Sequence, residues 1–430
     1  MKAAFYTLGC KVNQTETEYM AELLSKAGFE IVSPSDEADF YIVNSCTVTA
    51  TADQKTRQNV RRFKRRHPNS AVILTGCMPQ AFPEQARELL EADIVLGNKN
   101  NGDILTLINE YNTSKNRILS IENHESGDGF SECTISKFNE RVRAFVKIED
   151  GCDRFCSYCI IPMSRGRVRS KSLEDLKIEI KNLADNGIKE IVLVGINLSA
   201  YGKGEYFNIV DAVKICADND NVLRVRLGSL EPDHIIDEII EELSKIDKFC
   251  PQFHISLQSG CNKTLKNMNR HYTAAEYKAL CDKLRSTFDD ASLTTDVMVG
   301  FNEESEEDFL DSLEFVKSIG FEKVHVFPYS QREGTNASKK GDSVPKQEKE
   351  RRADIMINET EKIRKAYFES HIGKTVRVLF ENEIFKGVYQ GYTKNYTPVR
   401  IGSAENVIGK ELDVTITEIS EEYCTAKLLP

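Results

Sequence analysis

The sequence predicts three units in series: a parallel α/β domain at the N-terminus, a partial (β/α)6 barrel in the centre and a small all-β barrel at the C-terminus. Three observations carry this. Short β-rich apolar runs alternate with amphipathic stretches as far as "EKVHVFPYS", as in sheets covered by helices. A polar segment with Gly127 and Gly129 interrupts the alternation once. The last sixty residues change to Val, Ile, Tyr and Thr-rich runs broken by glycine. A chain of 430 residues is also too long for one ordinary core.

In the first unit "AAFYTLG", "FYIVNS", "AVILTG" and "DIVLG" read as strands, with helices between them. "NTSKNRILSIENHESGDGFSECTISKF" reads as a linker. The second series runs through "RVRAFVKIED", "EIVLVG", "VLRVRLGS", "QFHISLQS", "LTTDVMVGF" and "EKVHVFPYS", six strands whose right-handed crossovers would curl into a barrel or partial barrel. A doubly wound open sheet fits the same periodicity. "KQEKERRADIMINETEKIRKAYFESH" has the composition of one long connecting helix. The expected boundaries are 1–113, a linker 114–137, 138–368 and 369–430.

No stretch approaches 18 apolar residues, and "MKAAFYTLGCKVNQ" is too polar for a signal peptide, so a cytoplasmic protein with no membrane partner is expected. In that reducing compartment twelve cysteines imply metal binding or burial and not disulfides. The net charge of −10 argues against nucleic-acid binding over the whole surface but permits a local basic patch. "GKT" at 373–375 lacks the earlier glycine of a phosphate loop, and H-E-x-x-H is absent.

Cys10, Cys46 and Cys77 each stand directly after a predicted strand, in "YTLGC", "IVNSC" and "ILTGC". The carboxyl ends of parallel strands share one edge, where ligands bind, so these three could converge. Each alone would read as a small buried residue. Cys152, Cys156 and Cys159 follow the tighter pattern C-x3-C-x2-C in "EDGCDRFCSYCIIPMSRGR". Structural zinc needs four protein ligands, and His124, Cys133 and His234 lie outside the motif. Nor does a fourth cysteine followed by proline complete a ferredoxin run. An iron–sulfur cluster with one iron left open explains the spacing, and that iron could chelate the amino and carboxylate groups of S-adenosylmethionine. Tyr158 beside the last ligand suits packing on adenine, or ordinary core packing.

With these residues the chain resembles the radical S-adenosylmethionine methylthiotransferases over nearly its full length. The resemblance implies an N-terminal domain whose three cysteines hold an auxiliary 4Fe-4S cluster, a radical core, and a C-terminal TRAM domain, an OB-like barrel that helps bind RNA. "LGCKVNQ" at 8–14 looks like the branch acting on N6-threonylcarbamoyladenosine at position 37 of tRNA. The isopentenyladenosine branch more often reads GCQMN there, and the ribosomal-protein aspartate branch GCPKN. "RLGSLEP", "HISLQSGCNKTLKNMNRHYT", "TTDVMVGF" and "HVFPYSQREGT" agree with the first branch. Two departures are visible: Met163–Ser164 where the family commonly has Tyr-Ala, and Asn302–Glu303 where it has Pro-Gly.

What the resemblance implies is methylthio insertion at adenine C2 with two 4Fe-4S clusters and S-adenosylmethionine. It implies an electron donor such as flavodoxin or ferredoxin, and as partner a tRNA anticodon stem-loop bearing N6-threonylcarbamoyladenosine. Gly195, Glu231, Ser256, Gln258 and Asp296 fall at predicted strand ends where cofactor contacts are placed. Glu231 and Asp296 read equally as helix caps or structural ion pairs. For RNA, "KTRQNVRRFKRRHP" brings seven Lys or Arg, among them Arg57, Arg61, Arg62 and Arg65, and "SRGRVRSK" brings four, among them Arg165 and Arg167. Tyr392 and Tyr396 could stack bases. An RNA-binding protein with structural zinc is the non-enzymatic alternative. The other six cysteines read as structural thiols.

Overall fold

The computed structural model describes residues 1–131, 133–136 and 142–429. The expected boundary at 137/138 lies outside the described residues. The first domain is a parallel sheet in the order β2-β1-β3-β4-β5-β6. Its strands are β1 (Lys2–Thr7), β2 (Glu30–Val32), β3 (Phe40–Ser45), β4 (Ala71–Gly76), β5 (Ile94–Leu96) and β6 (Ile118–Ser120). Sequence reading missed two of them. β2 and β6 are three-residue edge strands, too short to show a period, and β6 lies inside the stretch read as linker.

Alternate residues of this sheet enter two separate cores. Phe40, Ile42 and Ile73 pack with Met20 and Leu24 on one face, and Tyr41, Val43 and Val72 with Val60 and Phe63 on the other. Burial on both faces is why its strands read as continuous apolar runs.

In the central domain β7 (Arg143–Lys147), β10 (Glu190–Val194) and β11 (Arg224–Leu227) form one parallel sheet. β12 (Ser229–Leu230), β13 (Gln252–Ile255), β14 (Ser292–Val299) and β15 (Lys323–Pro328) form a second. A bridge between Val225 and Phe249 links the two. Neighbours therefore follow sequence order from β7 to β15. A doubly wound sheet would reverse direction at a switch point, so the strand order favours the partial barrel. Between β7 and β10, β8 (Glu149–Asp150) and β9 (Arg169–Ser170) form an antiparallel ribbon that encloses the cysteine loop.

The helix Lys346–Glu369 leads into β16 (Thr375–Phe385), β17 (Val388–Thr393), β18 (Pro398–Gly402), β19 (Glu411–Ile419) and β20 (Cys424–Leu428), a closed barrel. Among the described residues no helix is long and apolar enough to cross a membrane. Two arginines of β11, Arg224 at its amino end and Arg226 two residues on, seat this barrel. Arg224 donates to Glu411 at 2.7 Å and to the Tyr392 carbonyl at 2.7 Å, and Arg226 donates to the Lys394 carbonyl at 2.9 Å. The small barrel thus closes the end of the central arc opposite the one that carries the cysteines.

Candidate functional site

β1, β3 and β4 are neighbours in register, with Thr7 beside Asn44 and Ser45 beside Gly76, so their carboxyl ends stand side by side. Cys10, Cys46 and Cys77 follow those ends and come together. The Cys46 thiol is pushed up to about 12 by burial and by the neighbouring thiols of Cys77 and Cys10. Gly9, at φ +112°, makes the approach possible, because a Cβ there would stand 2.9 Å from Cys46 Cβ and 3.3 Å from its sulfur.

Cys152, Cys156 and Cys159 lie on the loop after β8. Burial and the adjacent Cys156 push the Cys152 thiol up to about 12. Buried thiols of this kind ionise when a cation takes them as ligands. Among the described residues no three His, Cys, Asp or Glu side chains are close enough to hold one metal ion.

Around the central triplet the strand ends hold buried polar atoms without partners. Acceptors are Glu149 Oε1, Asn197 Oδ1 and Gln258 Oε1, and donors are Arg154 Nε and Nη2. Both kinds together fit a ligand that carries an ammonium and a carboxylate. Burial holds the Glu149 carboxyl well above its usual range. These residues therefore fit a cluster with a bound S-adenosylmethionine.

Five of the expected cofactor residues lie with one or other part of this region. Arg270 donates to Cys156 Sγ at 3.3 Å, to Glu231 Oε2, and to the Ser256 carbonyl at 3.2 Å. Glu231 is thus an ion-pair partner of Arg270, the structural alternative allowed for it. Tyr158 packs edge-on to Phe301 at 6.2 Å, in an apolar group with Met268 and Tyr329. Gln258, at φ +67°, donates its backbone N–H to the Asp296 carbonyl at 2.8 Å. Asp296 itself stands 3.2 Å from His254 Nε2.

Gly195 and Asp296 also line a cavity of about 850 Å³ that all three domains share. Cys10 and Val12 border it from the first domain, His254 and His325 from the strands, and Tyr392, Tyr396 and Arg400 from the small barrel. Val12 packs on Val192 and Val194, on the opposite face of β10 from Ile191 and Leu193. The first domain therefore enters along the inner face of the arc.

The basic residues separate. Arg165, expected on the RNA surface, is instead fully buried: its guanidinium pairs with Glu16 and donates to Cys77 Sγ at 3.3 Å. A side chain so enclosed cannot meet a phosphate. Arg62 is half-buried, 4.8 Å from the Phe63 ring centre and 5.5 Å from that of Tyr6. Arg57 reaches Gln85 at 3.5 Å, and Arg61 pairs with Glu91 at 3.2 Å. Arg65 is exposed, as is Arg167, which stands 3.4 Å from Asp153. Tyr392 and Tyr396 stack on each other at 4.5 Å, and Arg226 lies 4.6 Å from the Tyr396 ring centre, contacts that a base would otherwise take.

Of the two departures, Ser164 is buried and its carbonyl accepts from Asn98 at 2.8 Å, while Met163 is exposed. Asn302 and Glu303 tie their loop to Ser343 at 3.0 and 2.7 Å. Sequence reasoning missed Glu16, Glu149, Arg154 and Arg270. Arg270 lay within a quoted motif, but only the fold carries it 114 positions back to Cys156.

Residues 2–97 match the uncharacterized protein family UPF0004, residues 146–316 the radical SAM superfamily and residues 369–429 the TRAM domain. The chain is 39% identical to the threonylcarbamoyladenosine tRNA methylthiotransferase MtaB of Thermotoga maritima, over 97% of this chain and 94% of that one. It is 36% identical to the protein of the same name from Bacillus subtilis, over 98% and 94%. To the tRNA-2-methylthio-N(6)-dimethylallyladenosine synthase of Clostridium novyi it is 34% identical, over 98% and 95%. Among solved structures the radical S-adenosylmethionine methyltransferase TsrM from Kitasatospora setae shares the fold at 13% identity, with a TM-score of 0.55 over 76% of this chain and 72% of that one.

Proposed function

The chain belongs to the radical S-adenosylmethionine methylthiotransferases, and from that membership we propose that it inserts a methylthio group at C2 of N6-threonylcarbamoyladenosine, at position 37 of tRNA. The observation that carries this reading is the shared cavity, which brings Cys10 of the first domain, the inner wall of the central strands and the tyrosines of the small barrel to one space large enough for a nucleoside. The chain is a transferase that uses a 4Fe-4S cluster and S-adenosylmethionine.

Cys152, Cys156 and Cys159 are our assignment for that cluster, and Cys10, Cys46 and Cys77 for a second one. An adenine C2–H is neither acidic nor electrophilic enough for acid–base or nucleophilic catalysis. When bound, the central cluster and S-adenosylmethionine supply a carbon radical able to remove that hydrogen. The chain's own residues orient and enclose. Arg270, held by Glu231, fixes the Cys156 sulfur, and Arg165, held by Glu16, fixes that of Cys77. Glu149, Asn197, Gln258 and Arg154 present free acceptors and donors to the cofactor. Exposed Arg65 and Arg167 are the phosphate contacts of the anticodon stem-loop. A small reduced electron carrier, flavodoxin or ferredoxin, completes the system.

Nucleoside analysis of tRNA from a strain lacking the protein tests the reading. Loss of 2-methylthio-N6-threonylcarbamoyladenosine with accumulation of its unmethylthiolated precursor is expected. An unchanged 2-methylthio-N6-threonylcarbamoyladenosine content would overturn the assignment, and loss of the isopentenyl derivative in its place would move the chain to the other tRNA branch.

A further inference from the structure

The shared cavity holds more positive charge than an adenine ring requires. Lys323, at the start of β15, and Arg364, on the helix Lys346–Glu369, line it together. Among the described residues neither forms an ion pair. Arg364 lies 5.0 Å from the Phe368 ring centre and reaches the Glu422 carbonyl at 3.5 Å, and its buried Nε has no hydrogen-bond partner. Desolvation and the adjacent Arg364 guanidinium hold the Lys323 ammonium below its ordinary value, although Glu322 and Glu422 act the other way.

The acids nearby form no ion pair with either cation among the described residues. Glu322 is buried, which pushes its carboxyl up to about 7. Asp296 is taken by His254 at 3.2 Å, and Glu422 is exposed. Of the other two cations lining the cavity, Lys11 stands 5.6 Å from the Phe145 ring centre, and Arg400 bonds to Gln390 at 2.8 Å and lies 3.7 Å from the Tyr423 ring centre.

RNA can bring two anions to this place, a backbone phosphate or a carboxylate carried on the modified base. The two cations line the same cavity as Cys10 and the stacked tyrosines, the space the substrate reading gives to the nucleoside. Resting on the substrate reading above, we propose that Lys323 and Arg364 bind the threonyl carboxylate of N6-threonylcarbamoyladenosine and so select it over the neutral isopentenyl-substituted base. A guanidinium and an ammonium together suit a carboxylate, and an apolar prenyl chain would leave both desolvated and unpaired.

The test uses anaerobically reconstituted full-length protein and three anticodon stem-loops of one sequence, with adenosine, its N6-threonylcarbamoyl derivative or its N6-isopentenyl derivative at position 37. Affinities are read by fluorescence anisotropy for wild type, Lys323→Ala, Arg364→Ala and the conservative Arg364→Lys. The alanine variants are expected to lose about tenfold or more in affinity for the threonylcarbamoyl RNA alone, with Arg364→Lys partly retained. Equal loss on all three RNAs would identify a phosphate contact and overturn the proposal, as would no loss on any. Lys323 is exposed at a strand end, so its variant keeps the test decisive if the Arg364 variants fail to fold. Wild-type protein that modified only the isopentenyl RNA would overturn the substrate reading itself. Wild type that modified the threonylcarbamoyl RNA while the variants lost no selectivity would overturn only the role of these two residues.

Discussion

Arg165 Nε donates to Cys77 Sγ at 3.3 Å, tying the cysteine loop of the central barrel to the cysteines of the first domain. The same guanidinium is paired with Glu16, whose other cationic partner is Lys147 at 3.0 Å, and Asp150 lies 3.6 Å away. Removing one member of such a buried network leaves the others charged and unpaired.

Arg165→Met is therefore expected to destabilise the full-length protein by about 3–5 kcal/mol. Glu16→Gln combined with it should cost less than the sum of the two single changes. Denaturant unfolding of the three variants measures this, and strict additivity would show that the pair does not interact.

Gly151 precedes the first cysteine of the central loop at φ +90°, and a Cβ there would lie 1.9 Å from the Arg167 carbonyl oxygen. Backbone cannot yield that far, so Gly151→Ala should displace the loop. The expected result is loss of the iron signal of the central site with that of the first domain retained, read by electron paramagnetic resonance of the reduced protein. Retention of both signals would mean that the loop tolerates the methyl group.

Glu322 gives a pH dependence whose sign follows from its raised carboxyl, about 7 in the fold against an ordinary value of 4.5. Between those values the folded state holds more protons than the unfolded one, so the contribution of this group to stability falls as pH rises through that window. Glu322→Gln removes the titration. Its thermal midpoint should fall less than that of wild type between pH 5 and pH 8, about the limits of the window. Parallel curves for the two proteins would exclude the effect.

Arg65 and Arg167 are exposed on the elements that follow Cys46 and Cys159. Replacing either with Ala should weaken stem-loop binding equally for all three RNAs and lower the salt slope by roughly 0.7 to 0.9. Filter binding across a salt series reads this, and a loss confined to one RNA would contradict a phosphate role.

The three-part architecture and both cysteine triplets were legible because each rests on a local pattern: apolar runs buried on two faces, cysteines just after strands, and a tight C-x3-C-x2-C spacing. β2 and β6 were not, since three residues carry no period and tertiary pairing alone makes them strands. Arg165 was misread for a related reason. A run of arginines looks like a solvated face, and only the packing of Glu16 and Asn13 against it turns one inward. The cavity was not legible either, because its walls come from residues as far apart as Cys10 and Tyr423.

The central claim is that the two triplets hold two separate clusters. Iron and sulfide analysis of the anaerobically reconstituted protein tests it most directly, comparing wild type with Cys10→Ala and Cys156→Ala. Wild type should bind about eight irons and eight sulfides, and each variant about four. Full iron in both variants, or zinc in place of iron in the wild type, would contradict the account.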